Sequence, residues 1–180
     1  MASDSLPFEI LLLSPCLLPD TTYFKESKAS VKVDTKPGET ILFFNIDDQS
    51  NPGCKLREFL WGKATGQKIC DLIVFYAKES ERVICFVELK DNIGDLGHAT
   101  DQVINTYKSL KLHLKLSYTP KAFIYAFTGS LPHKHQEYQR KLYKEFGENN
   151  FEFGGRNNDL GNFLRGRPPK IGGDKRNKSK

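Results

Sequence analysis

No stretch of this 180-residue chain stays apolar for the roughly 18 residues that a membrane span requires, so no membrane association is expected. The nearest approach, EILLLSPCLLP, carries Glu9, follows no basic segment and is broken by Pro15 and Pro19, so it reads as structure rather than as a secretory signal. Cysteine is sparse: Cys16, Cys54, Cys70 and Cys85 have no metal-type spacing. Two of them lie inside apolar runs, where a free thiol behaves as a small hydrophobe, and a reduced, cytoplasmic protein is expected. The four histidines, His98, His113, His133 and His135, offer nothing beyond one His-x-His and read as surface residues. There is no internal repeat.

Acid is scarce at the C-terminal end. From Arg156 onward, eight Lys or Arg stand against Asp159 and Asp174, a net of +6, which leaves −1 for residues 1–155 of a chain whose total is +5. The body is near neutral, and 38% hydrophobic content with 13 Phe and 7 Tyr suits a packed domain. The division expected is one domain over 1–155 and a flexible basic tail over 156–180. A solvated tail is the plain reading of such a segment; attraction to an anionic partner, nucleic acid first, is the functional one.

Along the body, FEILLL reads as an edge strand, ASVKVDT as a short strand and ETILFFNI (39–46) as a better one. DDQSNPG holds turn and cap formers, Asp47 and Asp48 among them. Leu56, Phe59 and Leu60 recur at helical spacing over 55–61, with Trp61 a core residue. Apolar runs at 70–77 and 82–90 read as two strands joined through Lys78–Glu81. From Ala99, the spacing of Val103, Tyr107, Leu110 and Leu114 predicts an amphipathic helix of about four turns. A strand over 121–130 and a polar helix over 133–146 follow. NNFEFGGRNNDLGNFL then marks the end of the compact part. Strands apolar on both faces need cover on both sides, which predicts an α/β fold: a central mixed sheet flanked by helices.

The hairpin over 70–90 carries charge where burial is expected. Centred between Glu79 and Ser80, its register brings Asp71 opposite Glu88, and alternation puts Lys90 on the face of Glu88. Opposed residues have Cβ atoms about 4.5–5.5 Å apart. A bare ion pair at the hairpin end leaves the second acid unexplained, whereas a shared divalent cation relieves two opposed carboxylates.

Asp71 followed by Glu88-Leu89-Lys90 resembles the D…(D/E)-x-K signature of the PD-(D/E)xK nuclease superfamily, and the element order over 55–128 is similar to its core of helix, three-stranded meander, helix and strand. Helix 55–61 is taken as the family's first helix, with one meander strand unassigned; the alternative makes 39–46 that strand and helix 55–61 an insertion. Cys70 stands where the family name has proline. Gln102 and Tyr107 are five residues apart, against three for the Gln and Tyr of the RecB-like helix motif, so only Gln102 is carried over.

The resemblance implies a restriction-endonuclease-like core and a Mg²⁺- or Mn²⁺-dependent nuclease, a DNA endonuclease before an RNA one; a homodimer is compatible with it. Asp71, Glu88 and the Leu89 carbonyl become metal ligands, Glu58 a further one, and Lys90 and Gln102 join the catalytic set. Glu58 also reads as a solvated helix residue, and Gln102 as an exposed one. The hexamer RGRPPK (165–170) resembles an AT-hook and equally a basic linker. Arg165, Arg167, Lys170, Lys175, Arg176, Lys178 and Lys180 are the expected nucleic-acid contacts. The rival reading is a non-catalytic nucleic-acid-binding protein on the same fold.

Overall fold

The computed structural model describes residues 6–7, 10–11, 15–48, 53–62, 66–113, 117–155 and 159–166. In chain order the strands are β1 (Leu17–Leu18), β2 (Tyr23–Glu26), β3 (Ala29–Lys32), β4 (Glu39–Asn45), β5 (Leu72–Lys78), β6 (Glu81–Asn92), β7 (Thr119–Thr128) and β8 (Phe151–Gly155). The helices are α1 (Lys55–Trp61), α2 (Leu96–Lys111), α3 (His135–Phe146) and α4 (Leu160–Leu164), with a 3₁₀ turn over Ile93–Asp95 leading into α2.

Six strands form one mixed sheet in the order β1-β4-β5-β6-β7-β8; β2 and β3 pair only with each other. β1, β4, β5 and β6 run antiparallel to their neighbours, whereas β6, β7 and β8 are parallel. Parallel neighbours cannot be joined by a tight turn, and α2 and α3 supply the two crossovers. Alternation along β5 and β6 divides the core. Ile73, Ile84 and Phe86 meet Ala99, Val103 and Leu110 of α2 and Leu142 and Phe146 of α3. Leu72, Val74, Cys85 and Val87 meet Phe24 and Val31 of the β2–β3 hairpin and Leu160, Phe163 and Leu164 of α4. Each such large side chain contributes about 1.5–3 kcal/mol when fully buried. The expected α/β architecture, a mixed central sheet under helices, is present.

Several expectations are corrected. β4 pairs with β5 along its whole length, from Glu39↔Lys78 to Asn45↔Leu72. Residues 39–45 are therefore the strand preceding the hairpin, and α1 lies in the connection between them, the reverse of the preferred assignment. Ile10 and Leu11 are helical rather than extended; the remaining positions of FEILLL lie outside the described residues. The helix begins at Leu96, three residues early, because the Asn92 side chain accepts from Gly94 N–H and starts the turn.

The compact part does not end at 155. Phe151–Gly155 adds a sixth strand, parallel to β7, and Leu160, Phe163 and Leu164 are buried. The C-terminus of α4 is held by a lysine buried in the core: Lys121 Nζ donates to the carbonyls of Phe163 at 2.7 Å and Leu164 at 3.3 Å. A cation there satisfies helix carbonyls that lack intrahelical donors.

Candidate active site

The β5–β6 ladder runs from Lys78↔Glu81 to Leu72↔Val87, and its next step is Asp71 with Glu88, as the sequence register anticipates. At that step side chains replace the ladder. Asp71 N–H donates to Glu88 Oε2 at 3.0 Å, and Leu89 N–H donates to Asp71 Oδ2 at 2.7 Å. Each carboxylate thus ties its own strand to the other. Asp71 is 8% exposed and Glu88 0%. Lys90, two residues on and on the same face, brings Nζ to 2.5 Å from Glu88 Oε1. That oxygen is buried, so its contact with the Lys90 ammonium is charge-assisted and screened little by water. Beside Lys90 a narrow apolar crevice is lined by Ile93, Leu96, Ile124 and Ala126.

Helix α2 fixes the approach to Asp71. Asn105 Nδ2 donates to Lys68 O, Gln102 Nε2 to Ile69 O, and Thr106 Oγ1 accepts from Cys70 N–H, at 2.8, 2.8 and 2.9 Å. Three consecutive residues are pinned by one helix, and the fourth is Asp71. Gln102 accordingly positions backbone through its amide nitrogen, while its buried Oε1 has no hydrogen-bond partner among the described residues.

Burial is the main influence on both acids. It lifts the Asp71 carboxyl to about 6, against the opposing pull of the Leu89 N–H and of Lys90. It lifts Glu88 to about 8, and the neighbouring Asp71 charge pushes the same way. Desolvation alone lowers the Lys90 ammonium, but the charge and hydrogen bonding of Glu88, together with Asp71, outweigh it and raise its pKa.

Two acids absent from the expected site contribute. Asp47, half-buried, follows β4 and lies 3.8 Å from Arg57; burial raises its pKa. Glu26 ends β2. The charges of both push Asp71 upward. The signal for Asp47 was its position just past the strand that flanks β5, hidden by the turn-forming residues around it. Glu26 gave no local signal, because the β2–β3 hairpin reaches the site only through the fold.

Of the remaining expected residues, Glu58 is solvent-exposed on α1 and paired with Lys55 at 3.0 Å rather than joined to the carboxylates. Arg165 is not a free cation either: Nε and Nη2 both reach Glu39 at 2.7 Å, and Nη2 donates to Asp34 O at 2.8 Å. Arg167, Lys170, Lys175, Arg176, Lys178 and Lys180 lie outside the described residues.

The buried carboxylates of Asp71 and Glu88 form a hard-oxygen donor set that suits Mg²⁺, which typically takes one or two carboxylates and fills its shell with water and phosphate oxygens. Among the described residues no group of three or more His, Cys, Asp or Glu is assembled around one point, so the protein's share stops at that pair and neighbouring carbonyls. No helix among the described residues is long and apolar enough to cross a membrane. No family model, no curated protein and no solved structure matches the chain.

Proposed function

We propose that the chain is a divalent-metal-dependent nuclease of PD-(D/E)xK type acting on nucleic acid in the cytoplasm, DNA before RNA. The observation that carries the reading is the buried, mutually opposed pair Asp71 and Glu88 with Lys90 against it. Burying like charges costs several kcal/mol unless something compensates, and one lysine does not neutralise two carboxylates. Also in its favour is the order β4–β5–β6 as a meander, α2 as a crossover and β7 parallel to β6, which is what the superfamily resemblance implies for a restriction-endonuclease-like core.

Asp71, Glu88 and the Leu89 carbonyl are the ligands for Mg²⁺ or Mn²⁺. When bound, such an ion polarises the phosphate and lowers the pKa of its water. Lys90 orients the attacking water and offsets charge that develops on the phosphate. Gln102, Asn105 and Thr106 hold the strand entry so that Asp71 keeps its direction. A second reading rests on the reciprocal backbone bonds of Asp71 and Glu88: a structural clamp closing the hairpin end, with no chemistry.

Incubation with supercoiled, linear and single-stranded DNA and with RNA, in Mg²⁺, Mn²⁺ or EDTA, tests both. Metal-dependent cleavage that is lost in Asp71→Asn and Glu88→Gln, with melting cooperative, is the expected result. Absence of cleavage on every substrate, with those variants melting lower than wild type, leaves the clamp.

A further inference from the structure

The six-stranded sheet ends differently on its two sides. One edge is β1, two residues long; the other is β8, with five. Asn150 O accepts from Ala122 N–H of β7, and alternation then turns the N–H and C=O groups of Phe151 and Phe153 away from β7. Among the described residues no strand pairs with that side. Neither Pro nor Lys stands in β8 to block the addition of a further strand. Its one charge, Glu152, alternates to the face opposite the two phenylalanines and is half-buried there.

On the helical side of β8, Phe151 and Phe153 lie parallel, with ring centroids 6.5 Å apart and 7° between their planes, half-buried against the core. Beside them α3 leaves a cleft of about 620 Å³. Gln136, Arg140 and Tyr143 line it from the helix, and Glu148, Asn149 and Phe151 from the connection and the start of the strand. Tyr143 is 57% exposed. Arg140 and Glu148 are exposed charges of opposite sign, and neither side chain is ion-paired to any described residue. Nearby charges are engaged elsewhere: Lys141 faces Asp101 and Glu137, and Lys108 pairs with Glu145. Lys144, one turn on from Arg140, lies outside the cleft.

We infer that β8 and the α3 cleft form the interface of a homodimer, a second copy adding its own β8 antiparallel to this one across a two-fold axis. Such an interface must be self-complementary, residue i meeting j while j meets i. This patch holds both halves of two contacts. An exposed aromatic ring stands beside a cleft, and an unpaired arginine stands with an unpaired glutamate. Across the axis Tyr143 enters the cleft of the second copy, and Arg140 meets the Glu148 of that copy. An unrelated strand would satisfy the edge alone, whereas a second copy brings edge, ring, cation and anion together. The β1 edge, two residues long, offers no equal surface. The interface is independent of any chemistry at Asp71 and Glu88, which belong to the β5–β6 hairpin, away from this edge.

Sedimentation velocity of the full chain over a concentration series measures the dimer Kd of wild type, Arg140→Glu, Glu148→Arg and the variant carrying both changes. Each single reversal leaves like charges facing one another at both symmetry-related contacts, and should raise Kd by about tenfold or more. The double variant restores opposite charges and should return close to wild type. Both positions are exposed, so cooperative melting followed by circular dichroism should be unchanged in all four proteins. Tyr143→Ala alters no charge and should raise Kd as well, which keeps the interface testable if a reversal disturbs the fold. Monomers at every concentration overturn the interface, as does a dimer whose Kd none of these changes moves. Weakening by both reversals without recovery in the double variant overturns the two-fold arrangement.

Discussion

The sheet carries a buried charge cluster at each end, and the two are opposites. At the turn end, Glu39 at the start of β4 receives a two-pronged contact from Arg165: one acid, one cation, both carboxylate oxygens engaged. The arginine bond is the main reason the Glu39 carboxyl is held down at about 2. At the other end, Asp71 and Glu88 face one lysine, and burial drives them up to about 6 and about 8. The same chain thus shows it can satisfy a buried acid fully and, some 20 Å along strands of seven residues at about 3.3 Å each, declines to do so. A matched pair is explained by the fold it closes. An unmatched one needs another partner, which is why strongly perturbed groups mark candidate functional sites.

The largest effect expected from breaking this contrast is on catalysis. Lys90→Met should lower kcat by roughly 10²–10³-fold, the range for removing one preorganised group that stabilises developing charge. The measurement is single-turnover cleavage in Mg²⁺, and a loss under about tenfold would strip Lys90 of its assigned role. The matched end should respond in stability instead. Arg165→Ala removes a charged hydrogen-bonded partner that is 10% exposed in its side chain, and should cost about 1.5–3 kcal/mol in denaturant unfolding while single-turnover rates stay near wild type.

A pH titration sharpens the same comparison. The folded-state pKa of Glu39 lies below its ordinary value of 4.5, at about 2, so its contribution to stability is present above pH 4.5 and is lost as pH falls through about 2. Wild type should lose stability over that window, and Arg165→Gln should lose less, since its Glu39 has no guanidinium to forfeit. Parallel curves for the two proteins would deny the pairing. The smallest effect belongs to Glu58→Gln. Exposed pairs such as Lys55–Glu58 are worth about 0–1 kcal/mol, so melting and metal-dependent cleavage should both stay close to wild type. A marked loss of metal affinity would restore Glu58 to the ligand set.

How much of this could be read from the sequence differs between the two ends. The Asp71–Glu88 end was legible to the residue, because a tight turn and period-two alternation fix a hairpin register locally. The Glu39–Arg165 pair was not: its partners are 126 residues apart, and no local pattern relates them. Arg165 consequently passed for one more cation of a basic segment. α4 and β8 were missed for a related reason. The Asn and Gly around them signal a chain end, yet Phe151 and Phe153, two apart, pack against the helical side of the core and carry the strand alternation. Gln102 was found through the family motif, but what it does, together with Asn105 and Thr106, depends on where α2 docks.

The pinning of residues 68–70 by α2 also sets an order of events during synthesis. Asp71 and Glu88 are 17 residues apart, so their clamp can close as soon as the hairpin has emerged. The bonds from Gln102, Asn105 and Thr106 span 33 to 37 residues. Each doubling of a loop adds only about 0.6 kcal/mol of closure cost, but these bonds cannot form before their helix exists. A nascent chain that has made its acidic pair would still lack the brace that directs Asp71. On the nuclease reading, competence for chemistry would arrive only with the helix that follows the motif.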